Sequence, residues 1–197
     1  MISDRPPVII GLLLAGGKGT RMGGQDKGML PWQGQPMARW VFRALATVTP
    51  EVFISANRSL GDYEQLAPGH VLQDPRNFCH QGPLAGLLAG LRAAAREGAT
   101  AVLVCPCDTP GITPATLDAL VIAWESRPDR PVIAESEGRT HPLHGVYPVN
   151  LMVPLQQWLE SGNRRVMGFA KSAGAVVVDC PEAGEVFRNR NKPDDLL

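Results

Sequence analysis

The chain has 197 residues, enough to bury a substantial core as one domain, and its 19 Lys and Arg balance 19 Asp and Glu. That neutrality excludes a global field for nucleic acid or an anionic membrane, so partners must be recognised locally. No apolar run reaches transmembrane length, and residues 1–7 have neither a basic n-region nor an apolar h-region, the pattern expected of a cytoplasmic protein.

Residues 7–14, Pro-Val-Ile-Ile-Gly-Leu-Leu-Leu, form a continuous aliphatic run that suits a strand covered on both faces. A glycine segment follows. Gly16, Gly17 and Gly19 lack Cβ atoms and permit positive φ, so backbone N–H groups there can converge on an anion such as phosphate. It is not a Walker A loop, because Lys18 precedes Gly19 and Lys27 follows Asp26. A dinucleotide fingerprint also fails: Met22 occupies the third glycine position, and the next strand lacks a terminal acid for a ribose hydroxyl. What remains is a glycine turn carrying Arg21 and ending at Lys27, two cations able to bracket a polyphosphate where a pentacovalent phosphorus forms. Nucleotidyl transfer suits that arrangement; a solvated basic loop is the plainer alternative, and Lys18 is left to it.

Further along, Met37, Trp40, Val41, Ala44, Leu45 and Val48 predict a helix over residues 36–48. A strand at 52–56, a polar turn around Gly61-Asp62 and a short strand at 70–73 ending at Asp74-Pro75 come next. A helix over about 83–97 leads to a strong strand at 101–105, and Thr113 caps a helix over 114–124. Residues 131–135 and 141–147 read as strands joined by a polar hairpin turn, followed by helices at 150–161 and 166–171 and a strand at 175–179. The expectation is a single α/β domain over 1–197: a doubly wound, mostly parallel mixed sheet flanked by helices, its site along the carboxyl ends of the strands.

Asp108 ends the hydrophobic strand just before a turn, where one carboxylate can hold Mg²⁺ together with phosphate and water; a turn Asp before Thr109-Pro110 is an equal reading of the local sequence. Asp74 before Pro75 reads locally as a turn Asp. Cys105 and Cys107 are too close for a normal disulfide and lack a second pair for zinc, so the four cysteines read as thiols. His141 and His144, in extended chain, should face opposite sides as core or pocket-wall residues.

Leu14-Ala15-Gly16-Gly17-Lys18-Gly19-Thr20-Arg21-Met22 resembles the signature of nucleotidyltransferases that activate sugars. Asp26-Lys27-Gly28 after Gly23-Gly24 narrows the resemblance to the molybdenum cofactor guanylyltransferases, the MobA family, over nearly the whole chain. The resemblance implies a Rossmann-like nucleotidyltransferase fold in which residues of about 1–115 bind GTP and about 130–197 bind molybdenum-loaded molybdopterin. It implies nucleotide contacts at Leu14, Ala15, Gly16, Gly17, Lys27, Ser55, Asp74 and Asp108, a guanine pocket along Gly82-Pro83-Leu84-Ala85-Gly86, and catalysis by Arg21, Lys27 and Asp108, with Asp108 on Mg²⁺. Ser55 departs from the Asn of a family member, so its contact needs a different geometry or a water. Cys105-Pro106-Cys107-Asp108-Thr109-Pro110 resembles the metal-binding segment and decides between the two readings of Asp108. Asn189 and Asn191 in the closing Asn-x-Asn-x-Pro segment, with Arg164, are implied for molybdopterin, against an Asx turn and a solvated arginine as the plainer readings. The implied partners include molybdenum-insertion and molybdoenzyme chaperone proteins. A cytidylyl or sugar-phosphate transferase and a non-catalytic nucleotide- or pterin-binding chaperone are the alternatives, with a nicotinamide dehydrogenase a distant third.

Overall fold

β1 (Ile9–Leu14) is buried along its whole length, which is why its sequence shows no polar alternation. In this computed structural model, which describes residues 8–16, 25–180 and 185–190, Ile9 and Leu13 face one apolar layer while Ile10, Leu12 and Leu14 face another. The first layer is closed by α1 (Met37–Val48) and α4 (Pro114–Glu125), through Val41, Leu45, Leu117, Leu120 and Trp124. The second is closed by α3 (Pro83–Arg96), α5 (Met152–Glu160) and α6 (Val166–Ser172), through Leu84, Leu87, Leu91, Leu155, Leu159 and Phe169.

The sheet has seven strands in the order β5 (Val71–Leu72), β4 (Val52–Ser55), β1, β6 (Ala101–Pro106), β8 (Arg139–Pro148), β7 (Val132–Ser136) and β9 (Val176–Asp179). The first four are mutually parallel, β8 runs antiparallel to both neighbours, and β9 is parallel to β7. The expected mostly parallel mixed sheet flanked by helices is therefore present. From β1 the chain moves first to β4 on one side and later to β6 on the other. The strand order thus reverses beside β1, and a crevice at the carboxyl ends of β1 and β6 is the place where open α/β sheets bind ligands.

Three features depart from the expected elements. The polar turn around Gly61-Asp62 is part of a helix, α2 (Leu60–Leu66), whose one fully buried side chain is Tyr63; so thin an apolar stripe gives no helical period to read. A small hairpin, β2 (Pro31–Trp32) and β3 (Gln35–Pro36), precedes α1, turning through the left-handed residues Gln33 and Gly34. The third lies in the β7–β8 hairpin, whose turn uses left-handed Glu137 and Gly138 as expected of a tight loop. Ile133 opposes Gly145 but Ala134 opposes His141, so residues 142–144 bulge from β8. The bulge cancels strand alternation and brings both histidines together: their ring centroids lie 5.8 Å apart, and both pack on Phe187. His141 and His144 do not face opposite sides. Among the described residues no helix is long and apolar enough to cross a membrane.

Candidate active site

Leu14 and Ala15 are buried and tied into the sheet: Cys107 N donates to Leu14 O at 3.0 Å, and Ala15 N donates to Ser55 O at 2.8 Å. The first exposed backbone is at Gly16. Its φ is not left-handed; a Cβ there would stand 3.3 Å from Asn57 Nδ2, a tight approach to an amide that is itself bonded to Asp74. Gly17 and Arg21 lie outside the described residues.

The chain next described, at Gln25, reaches a 3-10 turn over Lys27–Met29. Lys27 Nζ lies 2.6 Å from Asp108 Oδ2, with both side chains about one-fifth exposed. Residues 81 positions apart are thus joined across the carboxyl ends of β1 and β6. Asp108 belongs to the turn that follows β6, and its carbonyl accepts from Arg190 N at 2.8 Å. The cation of Arg190 lies over the Trp32 ring, 5.7 Å from the centroid, and its Nη2 is 3.2 Å from Glu185 Oε2.

On the other side of Gly16, Asp74 is held by three bonds. Its Oδ2 accepts from Asn57 Nδ2 at 2.9 Å and from His80 N at 3.1 Å, while its own N–H donates to Asn57 Oδ1 at 3.0 Å. Ser55 is 1% exposed and sits below this level, its Oγ 2.6 Å from where a Cβ at Gly86 would be. Gly86 therefore lets α3 lie close to β4 and β1, and left-handed Gly82 with Pro83 at the first helical position starts that helix.

Asn189 lines a pocket of about 460 Å³ with Arg139, His141, Phe187 and Arg188, between the β7–β8 hairpin and the segment that returns to Asp108. His144 packs behind two of the lining residues, His141 and Phe187: it is 3% exposed and shares a 2.8 Å hydrogen bond with Thr109 Oγ1. Burial, with His141 beside it, lowers its pKa from 6.5 to about 3, so it stays neutral; burial followed by Arg139 also lowers that of His141. Cys105 and Cys107 are buried thiols whose pKa burial raises, and none of the four cysteines is in a disulfide. Arg164 lies at the end of α5, where its Nη1 donates to Leu159 O at 2.7 Å and Asn163 O at 2.6 Å. Asn191 lies outside the described residues.

Lys27, Asp108 and the segment bearing Asn189 thus meet at the strand-order reversal, with Gly16, Asn57 and Asp74 along the adjoining edge. Asn57 was not singled out by the sequence, although an amide two residues beyond the end of β4 carries the needed donor and acceptor.

The family model described as "MobA-like NTP transferase domain" matches residues 11–175. A molybdenum cofactor guanylyltransferase of Cereibacter sphaeroides is 43% identical over 95% of this chain and 93% of its own. One from Pseudomonas aeruginosa is 36% identical over 98% and 95%. The chain belongs to the MobA-like family of molybdenum cofactor guanylyltransferases. Among solved structures, molybdopterin-guanine dinucleotide biosynthesis protein A from Archaeoglobus fulgidus shares the fold at a TM-score of 0.77, with 21% identity over 95% of this chain and 94% of that one. The 4-diphosphocytidyl-2C-methyl-D-erythritol synthase from Anaerococcus prevotii, 12% identical over 96% and 93%, has a TM-score of 0.74. The MobA-like fold is therefore shared with an enzyme named for a cytidyl product, and the shape of the sheet alone does not choose the base.

Proposed function

We propose that this chain transfers GMP from GTP to molybdenum-loaded molybdopterin, forming the guanine dinucleotide cofactor and pyrophosphate. The observation that carries the reading is the Lys27–Asp108 pair beside Gly16 at the strand-order reversal, in a chain 43% identical to a molybdenum cofactor guanylyltransferase. Each member of that pair neutralises the other, and each is matched to the opposite part of a metal nucleotide: the ammonium to phosphate, the carboxylate to a cation.

Asp108 offers a hard oxygen at a strand end, and no cluster of three or more acidic, His or Cys side chains surrounds it among the described residues. That donor set fits Mg²⁺, which takes few protein ligands and completes its shell with phosphate and water; bound there, it supplies charge neutralisation on the triphosphate. Lys27 exchanges Asp108 for a phosphate oxygen, the backbone at Gly16 lies beside the phosphates, and Gly17 and Arg21 of the glycine loop are assigned to the same phosphates by their place in the sequence. Leu14, Ala15 and Ser55 support that backbone from below. Asp74, fixed by Asn57 and His80, holds the loop ahead of α3 on which the guanine pocket is built.

The acceptor occupies the pocket beside Asn189, and Asn191 is assigned to it by the same closing segment of the sequence. Its phosphate oxygen forms the new bond to the α-phosphorus while the bond from that phosphorus to the bridging oxygen breaks, and the electron pair leaves with pyrophosphate. The attacking phosphate is already ionised, so no general base is needed, and orientation of the two substrates carries the rate. Arg164 meets an acceptor phosphate by trading its two carbonyl contacts for a charge-assisted one. Molybdenum-insertion and molybdoenzyme chaperone proteins are the partners that deliver the acceptor and collect the product, in the cytoplasm.

Labelled GTP incubated with molybdate-loaded molybdopterin tests the reading by product identification. Guanine dinucleotide and pyrophosphate are expected, with GTP preferred over CTP in competition, because groups matched to one base are left unpaired by another. Equal use of CTP overturns the base assignment, and GTP binding without pyrophosphate release overturns the reaction.

A further inference from the structure

Asp26, adjacent to the lysine of the pair, is turned into the protein and not toward Asp108. Its side chain is 6% exposed, and Oδ1 accepts from both Gly28 N and the Tyr63 hydroxyl, each at 3.0 Å. Tyr63 is fully buried on α2. From the same side Arg58 donates through Nη2 to Gln25 O at 3.0 Å and holds its Nε 3.9 Å from Asp26 Oδ2. Residue 28 must be glycine for this packing, because a Cβ there runs into the Tyr63 hydroxyl. Residues 25, 26 and 28 are thus gripped from one side, while Lys27 between them points the other way.

A lysine is a point charge on a flexible four-carbon stem, and the rotamer entropy of that stem opposes holding it in one place. Fixing the backbone from which the stem starts narrows the region its ammonium can reach. We infer that Tyr63 is a positioning residue for Lys27, acting through Asp26 and the Gly28 amide, and that Asp26 serves this grip and is not a second metal ligand. Burial raises the tyrosine pKa, which keeps the hydroxyl protonated as a donor. The inference rests on the proposed phosphate role of Lys27, and its test separates the two.

Tyr63→Phe, Lys27→Ala and the double variant are assayed for GMP transfer over a range of Mg·GTP concentrations, with melting followed in parallel. Tyr63→Phe keeps the buried ring, so its melting temperature stays within about 5 °C of the parent, while kcat falls about tenfold with a smaller change in KM. In the Lys27→Ala background the same change has no further effect on kcat, a non-additivity that a purely structural tyrosine does not produce. If Tyr63→Phe turns over at the parental rate, or costs the same factor with and without Lys27, the inference is overturned. If Lys27→Ala is fully active, the phosphate role itself fails, and the positioning inference falls with it. Should Tyr63→Phe melt earlier, the same comparison made at least 15 °C below its midpoint, where the variant remains folded, decides the matter.

Discussion

At the scale of single residues, the carboxylate at the end of β6 and the lysine beyond the glycine loop were legible because their types and places were informative. What sequence did not convey was that they pair with each other across 81 positions. Replacing Lys27 by Ala should leave the fold intact, since a partly exposed charge contributes little core, and lower GMP transfer at least tenfold; near-parental turnover in a folded variant would sink the assignment. The role of Gly16 was legible only in part, because close approach to Asn57 is a tertiary fact that no local pattern encodes. His144 gives a pH prediction. It is neutral in the fold, with His141 the titratable neighbour and Arg139 beyond it, while the unfolded chain takes up a proton near pH 6.5. Between pH 6.5 and about 3 the unfolded state therefore binds more protons, so this contribution is fully present above pH 6.5 and is lost as pH falls. Urea midpoints at pH 7 and pH 5 should fall less in His144→Gln, which can still bond Thr109, than in the parent. An equal fall in both would place the pH dependence elsewhere.

Elements were legible where burial imposed a period and hidden where it did not. α1 and α4 show apolar residues at helical spacing, and Thr113 caps α4 with a 3.2 Å bond from Thr116 N, as its sequence implies. α2 shows no helical period because it buries one large residue, and β2–β3 carry no sequence signal because two-residue strands leave no alternation to detect. The bulge at residues 142–144 is the most consequential of these, since it converts an alternating strand into a wall with two imidazoles on one side. Gly145 makes it possible: a Cβ there runs into the carbonyl of Val132 on the paired strand. Gly145→Ala should cost about 3 kcal/mol by denaturant unfolding, because a ladder carbonyl cannot move aside as a side-chain tip can. A loss below about 0.5 kcal/mol would show that the bulge tolerates a methyl and does not depend on this contact.

At the scale of the whole molecule, the parts proposed to bind nucleotide and acceptor are not separate lobes, because residues 101–104 of β6, in the first part, pair with β8 in the second. The chain then returns through residues 185–190 to place Arg190 N on the Asp108 carbonyl, so the pocket beside Asn189 and the turn bearing Asp108 share one short segment. This economy raises the question of whether Asn189 and Asn191 serve the acceptor or the nucleotide. In the proposed function the triphosphate and its metal are met by the glycine loop, Lys27 and Asp108, whereas Asn189 lines the pocket on the far side of that contact. Replacing both asparagines by Ala should therefore spare Mg·GTP affinity, measured by calorimetry, to within about twofold, while GMP transfer falls at least tenfold through lost acceptor orientation. The backbone bond from Arg190 survives both substitutions, so the turn bearing Asp108 keeps its support. If affinity and transfer fall together in a folded protein, the asparagines belong to the nucleotide or metal site; if neither changes, their amides only close a turn.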